Sequence, residues 1–545
     1  MQRTIELIIM NMINEILIDR AMNKEINKNR IVALAVFIIG MLAVIYYILI
    51  GEKVEFDSDF TDTILWAEAM ITGNGLFDKT MAYAYTLPFG GSLLMAPFVA
   101  VFGVGYKAHA LGFILFLAIF AFSLYKFFRA MEFSDNIALI CTGIVLLLSL
   151  PTKNIRMIMW GHIIHYSLGL LFVIIALSVY RKIDIDSEHL FSEKKNIVWI
   201  AILSILTMLF LSNGLTIVLF FAIPFFGATI VERFIDTGDE LFCKRNINTL
   251  IIAIVSMIAG MAGFVISKIL QRGVNTVYDD MFKEIQSWQN WVWDFEDRIR
   301  CMLVVCAGGL SSDIAMESFT GIKVLYMALF GFVVMIVPFI ALASYKKIQN
   351  RVIRLFIISY IILLASTLFI YDFSMARGTA HRMVGIYMTA VIVVVTYTAW
   401  LIKNKELSRF GVLLSVILIG AAGCSILSVA ALRGENRFEK LAKVLEENDL
   451  HYGYAEYWSA QVTTVLSDSK VQVCPIDVSE EGDISKRLYN IRPQQFDSKE
   501  GVDKYFAFLS AWEYETLSDS IVKDSIDVIE FDNDGYIVVF DHNIF

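Results

Sequence analysis

The sequence predicts an all-α polytopic membrane protein with a small α/β domain at its carboxyl end. Three observations predict it. Of 545 residues, 57% are hydrophobic and 18% charged, and mean hydropathy is +0.64, where a soluble chain carries about a quarter charged residues. Apolar runs of roughly 20 residues recur, the length a helix needs to cross a ~30 Å hydrocarbon core. From residue 432 the apolar runs stop, and the chain turns acidic and strand-like.

Residues 1–30 are polar and amphipathic and read as a cytoplasmic amino-terminal segment. The apolar run behind them is long enough to be retained as a span rather than cleaved as a signal. Spans are expected at about 31–50, 107–126, 136–150, 163–180, 197–213, 214–231, 248–268, 322–344, 352–371, 383–402 and 410–431, about 11 in all. The run 92–104 is apolar but too short to cross easily, and charge decides its status. If it is interfacial, the basic clusters Lys24/Lys28/Arg30, Lys126/Arg129, Arg181/Lys182/Lys194/Lys195, Arg233/Lys244/Arg245, Lys346/Lys347/Arg351/Arg354 and Lys403/Lys405/Arg409 all face the cytoplasm. If it spans, every cluster after the first moves outside. The interfacial reading gives a transmembrane domain over 31–431 with external pieces 51–106, 151–162, 269–321 and 372–382, and an extracytoplasmic domain over 432–545.

That tail carries 23 acidic against 11 basic residues, a net charge of −12 against −9 for the whole chain, so the membrane part is slightly positive at +3. Its acidity excludes nucleic acid and an anionic membrane surface as the tail's partner. A helix is expected over about 435–448, with Phe438, Leu441 and Leu445 on one stripe. Strands are expected at Gln461–Leu466, Val471–Val473 and Tyr505–Leu509, followed by a hairpin, Val528–Phe540, turning at Asn533-Asp534-Gly535. The six cysteines (Cys141, Cys243, Cys301, Cys306, Cys424, Cys474) show no CxxC or zinc spacing and no disulfide scaffold.

The first external loop holds the densest chemistry: Phe56-Asp-Ser-Asp-Phe-Thr-Asp-Thr-Ile-Leu-Trp-Ala-Glu-Ala-Met70. Asp57, Asp59 and Asp62 sit within a few residues of a bilayer surface. Read as a helix from Phe60, the segment puts Phe60, Ile64, Ala67 and Ile71 on one stripe and Asp59, Asp62 and Trp66 on another. Such a helix would lie on the membrane with its acids facing a cavity. Asn74-Gly75, a Tyr-rich turn (Tyr83, Tyr85), Leu87-Pro88-Phe89-Gly90-Gly91 and the short apolar run ending at Phe102-Gly103 follow. The bland alternative is that the acids simply solubilise the loop.

This order of features over residues 52–105 resembles the first external loop of GT-C-type glycosyltransferases. These integral membrane enzymes use polyprenyl-phosphate sugars, as in the protein mannosyltransferases and the bacterial aminoarabinose and galacturonic acid transferases. The family often has Asp-Glu where this chain has Asp59-Phe60. The resemblance therefore implies Asp59 as the catalytic acid, with Asp62 the nearest substitute for the missing Glu and Asp57 beside them. It implies a lipid-linked sugar phosphate as donor and a glycan, lipid or protein as acceptor. Transfer needs a base for the acceptor hydroxyl, and one external carboxylate suffices for inversion, whereas retention needs a nucleophile on the opposite face of the sugar.

Other loops offer partners for this chemistry. In Tyr371-Asp-Phe-Ser-Met-Ala-Arg377-Gly-Thr-Ala-His381-Arg382, two arginines lie on the side where basic residues are scarce. Arg377, His381 and Arg382 either hold the donor phosphate or snorkel to headgroups and pair with Asp372. Trp66, Tyr83 and Tyr85 in the first loop, and Trp291 in the aromatic stretch 288–300, are candidate acceptor or sugar contacts; the aromatics of 288–300 equally fit an interfacial belt. Asp279-Asp280 could bind a divalent cation, and the metal site is otherwise unassigned. His162 and His165 read as polar anchors at a span mouth. The stretch His451–Trp458 reads as aromatic core of the tail or as a stacking surface folded over the cavity. A lipid or glycan transporter or flippase would instead place ionisable residues within the spans, and a membrane-anchored sensor or assembly protein would explain the tail but not the acid loop.

Overall fold

The computed structural model describes residues 28–73, 75–236, 243–277, 284–308, 314–374, 379–405, 408–518 and 520–545. Among them, nine helices are long and apolar enough to cross a membrane: Lys28–Glu55, Tyr106–Ala130, Lys194–Leu211, Leu215–Ile235, Lys244–Leu270, Phe319–Ala343, Arg351–Phe373, Ala380–Lys403 and Arg409–Ala430. The remaining two expected spans are also helical but differ in detail. Asp135–Leu148 continues, after a 117° bend, into Lys153–Gly161, and His165–Tyr180 has only 16 residues. Pro151 sits in the bend, where its missing N–H and fixed φ stop the first helix. The bend turns Lys153–Gly161 against the first loop. Ala380–Lys403 is the most enclosed of the spans, with nearly all of its side chains buried among the others.

Residues 432–545 fold as an α/β unit around six strands: β1 Tyr452–Glu456, β2 Gln472–Val478, β3 Ile484–Lys486, β4 Tyr505–Ser510, β5 Asp527–Phe531 and β6 Gly535–Phe540. Their order is β3-β2-β1-β4-β6-β5. β1 runs parallel to β2 and β4, and the other pairings are antiparallel. On β4 the period-2 alternation is clean: Phe506 and Phe508 pack on one face with Leu441 and Leu445, while Tyr505, Ala507 and Leu509 pack on the other with Phe496 and Val538. The helix Arg437–Glu447 and the β5–β6 hairpin fall close to their expected places.

One expectation for the tail fails. Gln461–Leu466 is not a strand but the end of a helix, Tyr457–Leu466, and the strand lies just before it at Tyr452–Glu456. The β-branched run Val462-Thr463-Thr464-Val465 favours a strand locally. However, β1 and β2 are parallel, and a parallel pair needs a crossover to carry the chain back. The helix supplies it, with Val462, Thr463 and Val465 fully buried.

The tail is seated on the first loop. The Asn436 amide donates to the carbonyls of Lys53 (3.0 Å) and Phe56 (2.9 Å), and Ser58 Oγ donates to the Tyr457 carbonyl at 2.6 Å. Arg492 reaches Asp78 Oδ2 (2.6 Å), Glu68 (2.9 Å) and Thr72 Oγ1 (2.6 Å). The same domain touches both flanks of the 12-residue helix Gly91–Phe102: Ile491 bridges Ala82 on one side, and Ser469 Oγ donates to the Val104 carbonyl at 2.9 Å on the other. Twelve residues rise about 18 Å, short of a ~30 Å core. The same domain therefore contacts the chain before and after this helix. The basic residues gather at the other ends of the helices, where Glu232 takes Arg233, Arg351 (3.4 Å) and Arg354 (3.0 Å), and Lys403 donates to the Glu132 carbonyl at 2.9 Å.

Candidate active site

The acid segment begins as a 3₁₀ turn, Ser58–Thr61, and continues as the helix Asp62–Thr72. The apolar stripe is buried as expected for Phe60, Ile64 and Ala67, whereas Ile71 is 42% exposed. Phe60 lies against the backbone of Gly161: a Cβ there would sit 1.7 Å from the ring. The polar stripe does not face open water either. Trp66 and Asp62 are buried under the tail, so the helix is enclosed on both faces.

The three acids occupy different environments. Asp57 Oδ2 pairs with Lys153 Nζ at 3.1 Å, while Asp57 Oδ1 is buried without a hydrogen-bond partner among the described residues. Burial raises its pKa against the opposing pull of Lys153. Asp59 is half-buried and accepts from the Tyr457 hydroxyl at 3.0 Å. Asp62 is fully buried: Asn490 Nδ2 donates to Oδ1 at 2.6 Å, and His162 Nε2 lies 3.2 Å from Oδ2. Burial pushes Asp62 up to about 6, although His162 and Asn490 both favour its ionised form. Burial alone would lower His162, yet the bond to Asp62 and the charges of Asp62, Asp59 and Asp57 outweigh it, and its pKa is raised. The two groups titrate as a coupled pair.

His162 is therefore no headgroup anchor. The sequence carried a signal, a histidine following Trp160-Gly161 at the end of an external segment, but its partner lies 100 residues away. Arg156 Nε and Nη2 grip Glu55 at 2.9 and 2.5 Å, and the guanidinium also donates to the Leu150 carbonyl at 2.7 Å. This two-pronged contact fixes the segment Lys153–Gly161 and hence the position of His162.

Asn490 is the second residue that sequence reasoning missed. It sits at φ 50°, a left-handed conformation that Asn tolerates better than most residues. Its Oδ1 accepts from Trp66 Nε1 (2.8 Å) and from the Ala84 N–H (2.8 Å). Two obligatory donors on one atom fix the amide orientation, so Nδ2 must face Asp62. Gln461 holds this corner by donating to the carbonyls of Tyr489 (2.7 Å) and Asn490 (3.1 Å).

The other expected site residues divide. Tyr85 packs edge-on against Trp66 (4.9 Å) and His165 (5.9 Å), and burial raises the pKa of its hydroxyl, which has no hydrogen-bond partner among the described residues. His381 bonds Thr379 Oγ1, and both Asp59 and His162 lie close enough to act on its charge. Arg382 stacks over Tyr371 at 5.7 Å and acts on His165 together with His381. The acid loop and the first turn of Ala380–Lys403 thus meet. Tyr83 is 1% exposed and its hydroxyl accepts from the Asp78 N–H within its own loop. Trp291 packs on Phe373 (4.4 Å) and donates to the Gln286 carbonyl rather than to the acid loop. Arg377, Asp279 and Asp280 lie outside the described residues. Among the described residues, no group of three or more His, Cys, Asp or Glu side chains is placed to hold a metal.

Among the described residues the arrangement leaves one acid, Asp59, neither salt-bridged nor fully enclosed, between a coupled Asp–His pair and His381–Arg382.

No protein-family model matches the chain, and no curated protein matches it. Solved structures are similar at low identity. The crystal structure of the Archaeoglobus fulgidus oligosaccharyltransferase with Zn and sulfate is 13% identical, over 80% of this chain and 62% of that one, with a TM-score of 0.45. This chain thus spans 62% of the length of that protein. The A. fulgidus oligosaccharyltransferase AglB in complex with an inhibitory peptide and a dolichol-phosphate is 12% identical over 87% and 69%, at TM-score 0.45. ArnT from Cupriavidus metallidurans bound to undecaprenyl phosphate is 11% identical over 93% and 97%, at TM-score 0.43.

Proposed function

We propose that this chain is an integral membrane glycosyltransferase of the GT-C type, moving a sugar from a polyprenyl-phosphate donor to an acceptor on the outer face of the membrane. Asp59 is the general base of an inverting transfer. The observation that carries this reading is the division of labour among the three acids. Lys153 occupies Asp57, and His162 and Asn490 occupy Asp62, which leaves Asp59 half-open with a single neutral donor, Tyr457. A base must stay accessible and free of a cation that would hold its charge, and among the described residues Asp59 fits that best.

His381 and Arg382 stand across the cluster as the phosphate-binding side, with Arg377 as a further member of that loop. Stabilising a departing phosphate is a large electrostatic task, which suits a guanidinium. Placement of the site outside is supported by the basic cluster around Glu232 at the opposite end of the bundle. The transporter alternative fares worse: the Glu52–His109 pair lies at the ends of its helices beside the acid loop, and the Glu232 cluster lies at the far ends.

Asp59→Asn keeps the shape and removes the base. Assayed with a radiolabelled polyprenyl-phosphate sugar, its turnover should fall by roughly 10²–10⁴-fold with donor binding largely intact. Full turnover by Asp59→Asn, Asp62→Asn and Asp57→Asn alike would remove the glycosyltransferase reading.

A further inference from the structure

The sheet of the tail domain divides at β1. The chain leaves β1 through the helix Tyr457–Leu466 towards β2. It leaves β4, paired on the other side of β1, through Ala511–Thr516 towards β5 and β6. Where connections diverge from two adjacent parallel strands, a crevice opens at their carboxyl ends, the general ligand position of open α/β sheets. Here each strand end delivers a half-exposed tryptophan. Trp458 comes two residues after β1 and Trp512 two residues after β4, and each is 51% exposed. The register Ala455↔Phe508 sets the two ends side by side.

Carboxylates flank the pair. Glu456, the last residue of β1, lies close enough to Glu513 for the two charges to interact. Glu513 accepts from the Ser510 N–H (2.7 Å) and hydroxyl (2.8 Å), a capping box that fixes it at the end of β4. The nearby arginines have carboxylate partners of their own: Arg487 on Asp477 (2.8 Å) and Arg437 on Asp532 (3.5 Å). Tyr457 links this end of β1 to the acid cluster. Tyr457 packs edge-on against Trp458 at 5.0 Å while its hydroxyl donates to Asp59.

We propose that this crevice is an acceptor subsite for a neutral glycan chain, held on Trp458 and Trp512 and directed by Tyr457 towards Asp59. The proposal rests on the glycosyltransferase reading and adds the class of acceptor. The polarised C–H face of a sugar ring meets the negative face of an indole, and its hydroxyls donate to Glu456. The same carboxylates repel a phosphate-bearing polymer and an anionic lipid surface, the other occupants that two exposed tryptophans beside a membrane could serve.

The test uses the full chain in nanodiscs, with cellohexaose, chitohexaose and mannohexaose as probes and calorimetric titration as readout. At least one hexasaccharide should bind. Trp458→Ala and Trp512→Ala should each weaken it at least tenfold, Glu456→Gln should weaken it measurably, and Phe191→Ala, at an exposed aromatic residue in another loop, should leave it unchanged. Binding of none of the three, binding equal in the Trp458→Ala/Trp512→Ala double variant, or quenching of these two tryptophans by brominated lipid would each overturn the proposal. Donor hydrolysis by water, measured separately, keeps the two claims apart: Asp59-dependent hydrolysis with tryptophan-independent glycan binding sinks only the subsite, whereas donor that is never cleaved sinks the enzyme reading beneath it.

Discussion

His162 Nε2 stands 3.2 Å from Asp62 Oδ2, both side chains are buried, and the contact joins the end of the bent segment Lys153–Gly161 to the helix that follows Asp59. A carboxylate and an imidazole enclosed together share their protons. Burial of the carboxylate, opposed by His162, makes the acid loop sensitive to pH in a range where an exposed Asp would be indifferent.

The sign follows from the two shifts. Asp62 takes up its proton at about 6 rather than near the usual carboxylate value, so the ion pair is lost as pH falls through about 6. His162 is raised, so its charge is lost only as pH rises past its ordinary value. The pH profile of sugar transfer should therefore show an acid limb near 6. His162 favours the ionised form of Asp62, so His162→Gln should move that limb to higher pH, and Asp62→Asn should abolish it. A wild-type limb near 4 would mean that burial does not raise Asp62, and an unmoved limb in His162→Gln would dismiss the coupling.

Asn490→Ala should destabilise the seat of the tail. It leaves the buried Trp66 indole N–H and the Asp62 carboxylate each short of a partner, at about 1–3 kcal/mol per group. Thermal unfolding in detergent should shift down, and Trp66 emission should change. An unchanged melting temperature would mean that water replaces the amide without loss.

Arg382→Ala should weaken use of the lipid-phosphate donor while leaving insertion and folding intact. Loss of one good phosphate contact costs about 1.5–3 kcal/mol in transition-state stabilisation. Donor kinetics equal to wild type would reduce Arg382 to its stacking on Tyr371.

In a chain whose native cysteines are replaced by serine, single cysteines at Lys79, Lys107 and Lys504 should all react with a membrane-impermeant maleimide on intact cells. A cysteine at Lys346 should react only after permeabilisation. Lys79 and Lys107 flank the helix Gly91–Phe102, so opposite behaviour at these two positions would make that helix a span.

The sequence by itself determined the membrane class, the positions of the spans, the acid loop and the mixed character of the tail. Hydropathy over some 20 residues and the periods of helix and strand are local, and a bilayer reads them locally. The apolar stripe Phe60, Ile64, Ala67 was legible in this way, though Ile71 of the same stripe stays exposed and Phe60 is packed against Gly161 of a distant segment. Tertiary structure decided what the acids do. Asp62 is set by His162, 100 residues away, and by Asn490, 428 residues away, while Asp59 meets Tyr457 across 398. It also turned the strand-favouring run 461–466 into a crossover helix and brought the tail into contact with the chain on either side of 91–102. A carboxylate becomes a base, a partner or a buried acid according to what surrounds it, and those surroundings come from segments that meet only after the chain has folded.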